Sequence, residues 1–195
     1  MKLSVALKTL GFTRSNADSS LFIQQNFANK LIVLICVDDL IIMESNETSV
    51  AKLKTGLQRQ LSIKNLGKMK YFLGIEMATS SKGVFLNQRK YILNMLQDVE
   101  MLHTKPTITP LDSKLRLNSP SKPLLQFTTY QRIVGKLIYL TITRPDITFV
   151  VSLLSQYMHA PTTQHLDMMK RILRYLKGTI GRDIVMTCNG HTNIT

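Results

Sequence analysis

The chain has 195 residues, 44% hydrophobic and 19% charged, and 25 Lys+Arg against 12 Asp+Glu give a formal net charge of +13. This is the composition of a globular chain long enough for one domain or a large part of one, and it excludes disorder. Apolar runs end before ~18 residues and the start MKLSVALKTLGF lacks a signal-peptide apolar region, so neither a membrane span nor secretion is expected.

Cys36 and Cys188 lie too far apart in sequence to form a disulfide framework, which fits a reducing compartment, the cytoplasm or nucleus. The excess positive charge suits a polyanionic partner, but equally a solubility role or an anionic membrane surface.

Leu3, Leu7 and Leu10 have helical spacing, with Gly11 as the stop. Ser20 to Gln25 reads as a strand and Asn26 to Lys30 as a turn. Leu31 to Cys36 and Leu40 to Met43 are β-branched-rich runs flanking Val37-Asp38-Asp39, a hairpin with carboxylates at its tip. Asn46 caps a helix from Glu47 to about Leu61, with Val50, Leu53, Leu57 and Leu61 as its apolar stripe. Lys70 to Met77 and Gly83 to Asn87 read as two strands, followed by a helix from Arg89 to about Met101 with Ile92, Leu93, Leu96 and Val99 facing inward.

Pro106, Pro110, Pro120 and Pro123 make Thr104 to Pro123 an extended linker with a boundary near Pro120. Thr128 caps a helix to about Thr143, and Arg144-Pro145-Asp146 breaks it. A second helix runs to about His159 and a third from Thr163 to Lys177, before a short strand from Asp183 to Cys188. The pattern is α+β: an antiparallel sheet with helices, then a mostly helical region.

Asp38 and Asp39 carry the chemical interest. A solvated hairpin tip accounts for them, since Asp is a favoured turn residue. Their position between apolar strands offers another account. Adjacent carboxylates raise each other's pKa unless a cation is near, and Mg²⁺ takes one or two protein carboxylates alongside phosphate oxygens. In a basic chain that points to phosphoryl transfer on nucleic acid. The histidines show no metal-ligand spacing, and Cys188 with His191 is only a C-x-x-H fragment.

Cys36-Val37-Asp38-Asp39 resembles the Tyr-Val-Asp-Asp box of reverse transcriptases. LGFTRSNADSSLFI, LICVDDLIIMESN, NLGKMKYFLGIEM, QRIVGKLIYLTITRPDITFVVSLLSQYMHAPT and KRILRYLKGTI resemble, in order, segments of copia-type retrotransposon reverse transcriptases. The resemblance covers nearly the whole chain. It implies a partial polymerase palm over residues 1–103, a Pro-rich linker over 104–124, a helical thumb and connection over 125–181, and the start of a following region over 182–195.

The resemblance makes Asp38 and Asp39 catalytic metal ligands for Mg²⁺ or Mn²⁺. RNA template and DNA primer become the partners, with no small-molecule cofactor and no membrane. Tyr71, Phe72, Leu73 and Gly74 resemble the primer grip, although ordinary sheet packing also explains Tyr71 and Phe72. On the last long helix Lys170, Arg171, Arg174 and Lys177 form a basic stripe opposite Leu166, Met169, Ile172, Leu173 and Leu176. The stripe suits nucleic-acid phosphates, or is simply a solvated face.

The chain departs from the family's pattern at three places. The palm's third carboxylate and the fingers lie upstream of the segment that begins at Leu10, Cys36 stands in place of the box tyrosine, and the RNase H region would follow Thr195. The expectation is therefore a chain that binds metal weakly, does not polymerise alone, and exposes an aggregation-prone strand edge. A non-catalytic nucleic-acid-binding remnant and a pseudogene product are the other readings.

Overall fold

The computed structural model describes residues 2–25, 30–37, 39–43, 46–112, 121–182 and 184–187. The chain forms two compact units, Met1–Gly67 and Lys68–Thr195. Both are α+β, each with an antiparallel four-stranded sheet among the described residues.

In the first unit, helix α1 (Lys2–Thr9) precedes β1 (Thr13–Arg14), β2 (Leu21–Gln25), β3 (Lys30–Cys36), β4 (Asp39–Met43) and helix α2 (Glu47–Gln60), and the sheet order is β1-β2-β3-β4. Register puts Phe22, Val33 and Ile42 on one row of one face. Phe22 and Val33 are buried with Leu7, Leu53 and Leu57 of the helices, and Ile42 packs against that core. Each such leucine contributes about 1.5–3 kcal/mol. The other face is apolar too, with rows Leu21–Leu34–Ile41 and Ile23–Ile32–Met43. Apolar residues on both faces explain why β3 and β4 read as continuous apolar runs.

Asn46 caps α2 as expected: its Oδ1 accepts from the Thr48 N–H at 2.9 Å. The expected turn at 26–30 lies outside the described residues except for Lys30.

The second unit begins with β5 (Tyr71–Phe72), β6 (Ile75–Ser80), β7 (Gly83–Asn87) and helix α3 (Arg89–Asp98). The continuous strand read over Lys70 to Met77 is instead two strands. Leu73 and Gly74 turn the chain at φ +48° and +87°, and Phe72 pairs with Ile75. Helix α4 (Thr128–Leu140), a 3-10 turn (Pro145–Ile147), α5 (Thr148–Ser155), α6 (Thr163–Gly178) and β8 (Ile184–Thr187) complete the unit. Thr128 does not cap α4 but is its first helical residue, and Phe127 precedes it without a side-chain cap bond.

β8 joins the edge of this sheet antiparallel to β7, so residues 184–187 complete it. A side chain on Gly83 would sit 2.1 Å from the Met186 carbonyl, so glycine is what lets β8 approach. Residues 104–112 lie against α6 within this unit, whereas 113–120 and Cys188 lie outside the described residues.

The core of this unit gathers Ile92, Met95 and Leu96 of α3 with Ile133, Leu137, Leu154, Ile172 and Leu173 of the later helices. Leu93 is not among those core residues; it is only partly buried. The Arg-Pro-Asp break is a buried clamp. Arg144, 3% exposed, donates to both oxygens of Asp146 at 2.9 and 2.7 Å and to Thr179 beyond the end of α6. The Tyr175 hydroxyl donates to Asp146 at 2.7 Å. Burial works against the Asp146 charge, but these donors hold its carboxyl below the usual range.

His165 sits in a capping box: its Nδ1 accepts from the Thr162 N–H at 3.0 Å. Its ring stacks on Tyr157 at 3.8 Å. Burial lowers its pKa, and the acceptor role of Nδ1 requires the neutral ring.

Candidate active site

The carboxylate hairpin is built by β3 and β4. Cys36 pairs with Asp39, leaving Val37 and Asp38 as a two-residue connection. Asp38 lies outside the described residues, while Asp39 opens β4 with an exposed side chain. Val37 is 87% exposed at φ +50°. A β-branched residue rarely adopts that conformation, and holding it there costs about 1–2 kcal/mol.

Cys36 has a free, partly buried thiol beside this turn, where the family's box has a phenol. β4 pairs only with β3 among the described residues, so its outer edge is open beside Asp39.

Asp38 and Asp39 offer the hard oxygen donors that Mg²⁺ prefers. Among the described residues no group of three His, Cys, Asp or Glu side chains gathers to hold a metal. The donor chemistry of the two carboxylates fits a divalent cation.

The hairpin at Tyr71–Gly74 is anchored from outside. The Tyr139 hydroxyl of α4 donates to the Leu73 carbonyl, and the Tyr139 ring meets Tyr91 of α3 edge-on at 5.4 Å. Burial and then the neighbouring Tyr71 raise the Tyr139 pKa, so it stays a neutral donor. Tyr71 and Leu73 are 53% and 55% exposed, and Phe72 is partly buried. The turn therefore presents two large side chains while its backbone is pinned. Tyr139 was not singled out from the sequence, because its partner is 66 residues away.

The basic stripe of α6 is largely engaged by residues 104–112. Arg171 donates to Asp112 and Thr109 at 3.0 Å each, Arg174 to the Lys105 carbonyl at 2.7 Å, and Lys177 to the Thr104 carbonyl at 2.5 Å. Lys170 is exposed. The opposite face buries Met169, Ile172, Leu173 and Leu176 as expected, together with Met168, Tyr175 and His165.

The sequence profile of the family described as Reverse transcriptase (RNA-dependent DNA polymerase) matches residues 1–113. The chain belongs to this family. It is 42% identical over 182 residues to the Retrovirus-related Pol polyprotein from transposon RE1 of Arabidopsis thaliana, covering 92% of this chain and 12% of that protein. The Pol polyprotein from transposon TNT 1-94 of Nicotiana tabacum is 31% identical, with 93% of this chain and 14% of the relative covered. An uncharacterized mitochondrial protein of Arabidopsis thaliana is 39% identical, with 84% of this chain and 68% of the relative covered.

These relatives place the chain with the copia-type retrotransposon reverse transcriptases. It spans about an eighth of the Pol polyproteins it matches, 12% for RE1. No solved structure matches it.

Proposed function

We propose that this chain is a portion of a retrotransposon RNA-directed DNA polymerase, contributing the carboxylate hairpin and the primer-holding hairpin to a complete enzyme. The observation that carries the reading is the β3–β4 hairpin, which exposes Asp39 at its tip, on a strand whose outer edge has no partner among the described residues. Residues 1–103 correspond in this reading to part of a palm, and the later helices to thumb and connection. Asp38 and Asp39 are the metal ligands, Tyr71 to Gly74 face the primer end, and Lys170, Arg171, Arg174 and Lys177 lie toward nucleic acid. When held, a divalent cation supplies Lewis-acid stabilisation of the attacking and leaving oxygens. The chain's own part is to place carboxylates on a short turn and to pin a second turn through Tyr139.

The partners are an RNA template and a DNA primer, and the compartment is the cytoplasm or nucleus. The chain alone binds nucleic acid without extending it, because two carboxylates by themselves cannot order a two-metal reaction. Primer extension on a homopolymer template with Mg²⁺ or Mn²⁺ tests this. The expected result is no extension by the chain or by Asp38→Asn. Extension by the chain, abolished in that variant, would show that these residues suffice and overturn the partial-enzyme reading.

A further inference from the structure

Residues 104–112 run along α6 in the opposite direction, as an extended strap. Lys177 donates to the Thr104 carbonyl, Arg174 to the Lys105 carbonyl, and the Thr107 N–H donates to the Arg174 carbonyl at 3.3 Å. Pro106 lies against Gly178, where an added side chain would come within 3.0 Å of its Cβ. The hold loosens further along. Ile108 to Leu111 make no backbone-to-backbone hydrogen bond among the described residues, Ile108 is 93% exposed, and Thr109 is exposed beside it. Pro110 biases Thr109 to extended backbone and has no N–H of its own to satisfy. An accessible hydroxyl on extended chain, followed by proline, is what a proline-directed protein kinase accepts.

The surroundings of that hydroxyl are cationic. Arg171 donates from Nη2 to the Thr109 Oγ1 and from Nη1 to the Asp112 carboxylate, at 3.0 Å each. Its Nε–H is buried and has no acceptor among the described residues. Lys170 and Arg174 stand near it on α6, and neither makes an ion pair among the described residues. The acids on this side are Asp112 and the exposed Asp167, one turn before Arg171.

We infer that Thr109 is a phosphorylation site and that Arg171 receives its phosphate. A proline-directed kinase with Mg²⁺ and ATP forms the bond from Thr109 Oγ1 to the γ-phosphorus. The bond from that phosphorus to the β–γ bridging oxygen breaks, ADP leaves, and the hydroxyl proton passes to the kinase's base. Position 109 then carries about −1.5 to −2 charge and three acceptor oxygens, just beyond an atom that Arg171 already meets. A planar guanidinium matches phosphate with two parallel hydrogen bonds. Asp112, whose side chain keeps 45% of its exposure, yields to the stronger anion and returns to water. The clasp on α6 thus moves from Asp112 to Thr109. The inference goes beyond the polymerase reading and does not rest on it, since it uses the edge of Arg171 already turned to residues 109 and 112.

The full chain and a peptide of residues 103–113 are treated with a purified proline-directed kinase, Mg²⁺ and ATP, and fragmentation mass spectrometry locates the phosphate. Incorporation at Thr109 in both, abolished by Thr109→Val, is the expected result. Phosphorus NMR then follows the second ionisation of the phosphothreonine, which lies near pH ~6 in a free peptide. A neighbouring guanidinium favours the dianion, so in the full chain it should titrate about 0.5–1 pH unit lower. The peptide carries the same His103, Lys105 and Asp112, so the difference reports α6 and needs no variant to fold. Arg171→Gln should return the chain to the peptide's value. Asp112→Asn, which removes the competing anion and keeps Arg171, should lower it further.

A chain left unmodified at Thr109 overturns the site. A phosphate that titrates in the chain as it does in the peptide, or that is unmoved by Arg171→Gln, overturns the role of Arg171 and with it the inference. None of these readouts contains nucleic acid, so either failure leaves the polymerase reading standing.

Discussion

The two hairpin turns solve one geometric problem in different ways. Each connects antiparallel strands through two residues, and each places a bulky residue at positive φ, Val37 at +50° and Leu73 at +48°. At the second, Gly74 accepts the next positive φ without steric cost and the Tyr139 hydroxyl holds the Leu73 carbonyl. At the first, Asp38 follows Val37, which is 87% exposed. One turn is pinned to a large core. The other carries its strain next to the exposed Asp39.

The scaffold beneath the pinned turn should fail most when its clamp is cut. Arg144→Leu removes the buried partner of Asp146 and the donors to Thr179, and should destabilise the second unit by about 3 kcal/mol. This is the low end for buried pairs, because the Asp146 side chain keeps 34% of its exposure. Urea denaturation measures it; a loss near zero would mean the clamp is not structural.

Acid should also weaken this unit. Burial holds the His165 pKa below 6.5, so the unfolded chain takes up a proton that the folded ring resists. Stability from this residue is complete above about pH 6.5 and is lost as pH falls through the folded pKa. Asp98, lowered by the Lys136 bond, and Asp146 add losses only below their ordinary value of 3.8. Thermal melts from pH 7.5 to 5 should decline, and His165→Gln should flatten the decline.

Tyr139→Phe keeps the ring and deletes one hydrogen bond, for a cost of about 1 kcal/mol. Chemical-shift changes should centre on Leu73 and Gly74; a variant with unchanged shifts there would show that the turn holds without the clasp. The smallest effect runs the other way. Val37→Gly releases a strained φ worth about 1–2 kcal/mol but adds unfolded-chain entropy of about 0.5–1 kcal/mol, so the first unit should gain a fraction of a kcal/mol. A loss would mean that Val37 is not strained.

The carboxylate hairpin was legible because its cues are local: β-branched runs, an Asp-containing turn, and Asn46 five residues on from Ile41. The α2 stripe was legible for the same reason. The β5–β6 turn escaped residue-level reading because leucine is no turn former; only the family resemblance marked a hairpin there. The roles of Arg171, Arg174 and Lys177 escaped because their partners lie 59 to 73 residues away, and a helix face cannot announce which distant carbonyls will meet it. β8 escaped as a sheet member for the same reason, since its neighbour β7 is nearly a hundred residues earlier.

The central claim is that the strained turn displays metal ligands. Paramagnetic broadening by Mn²⁺ across the backbone amide signals measures it most directly. The account predicts broadening centred on Val37 to Leu40, lost in Asp38→Asn and Asp39→Asn. Broadening that spares this turn, or that survives both substitutions, would contradict it.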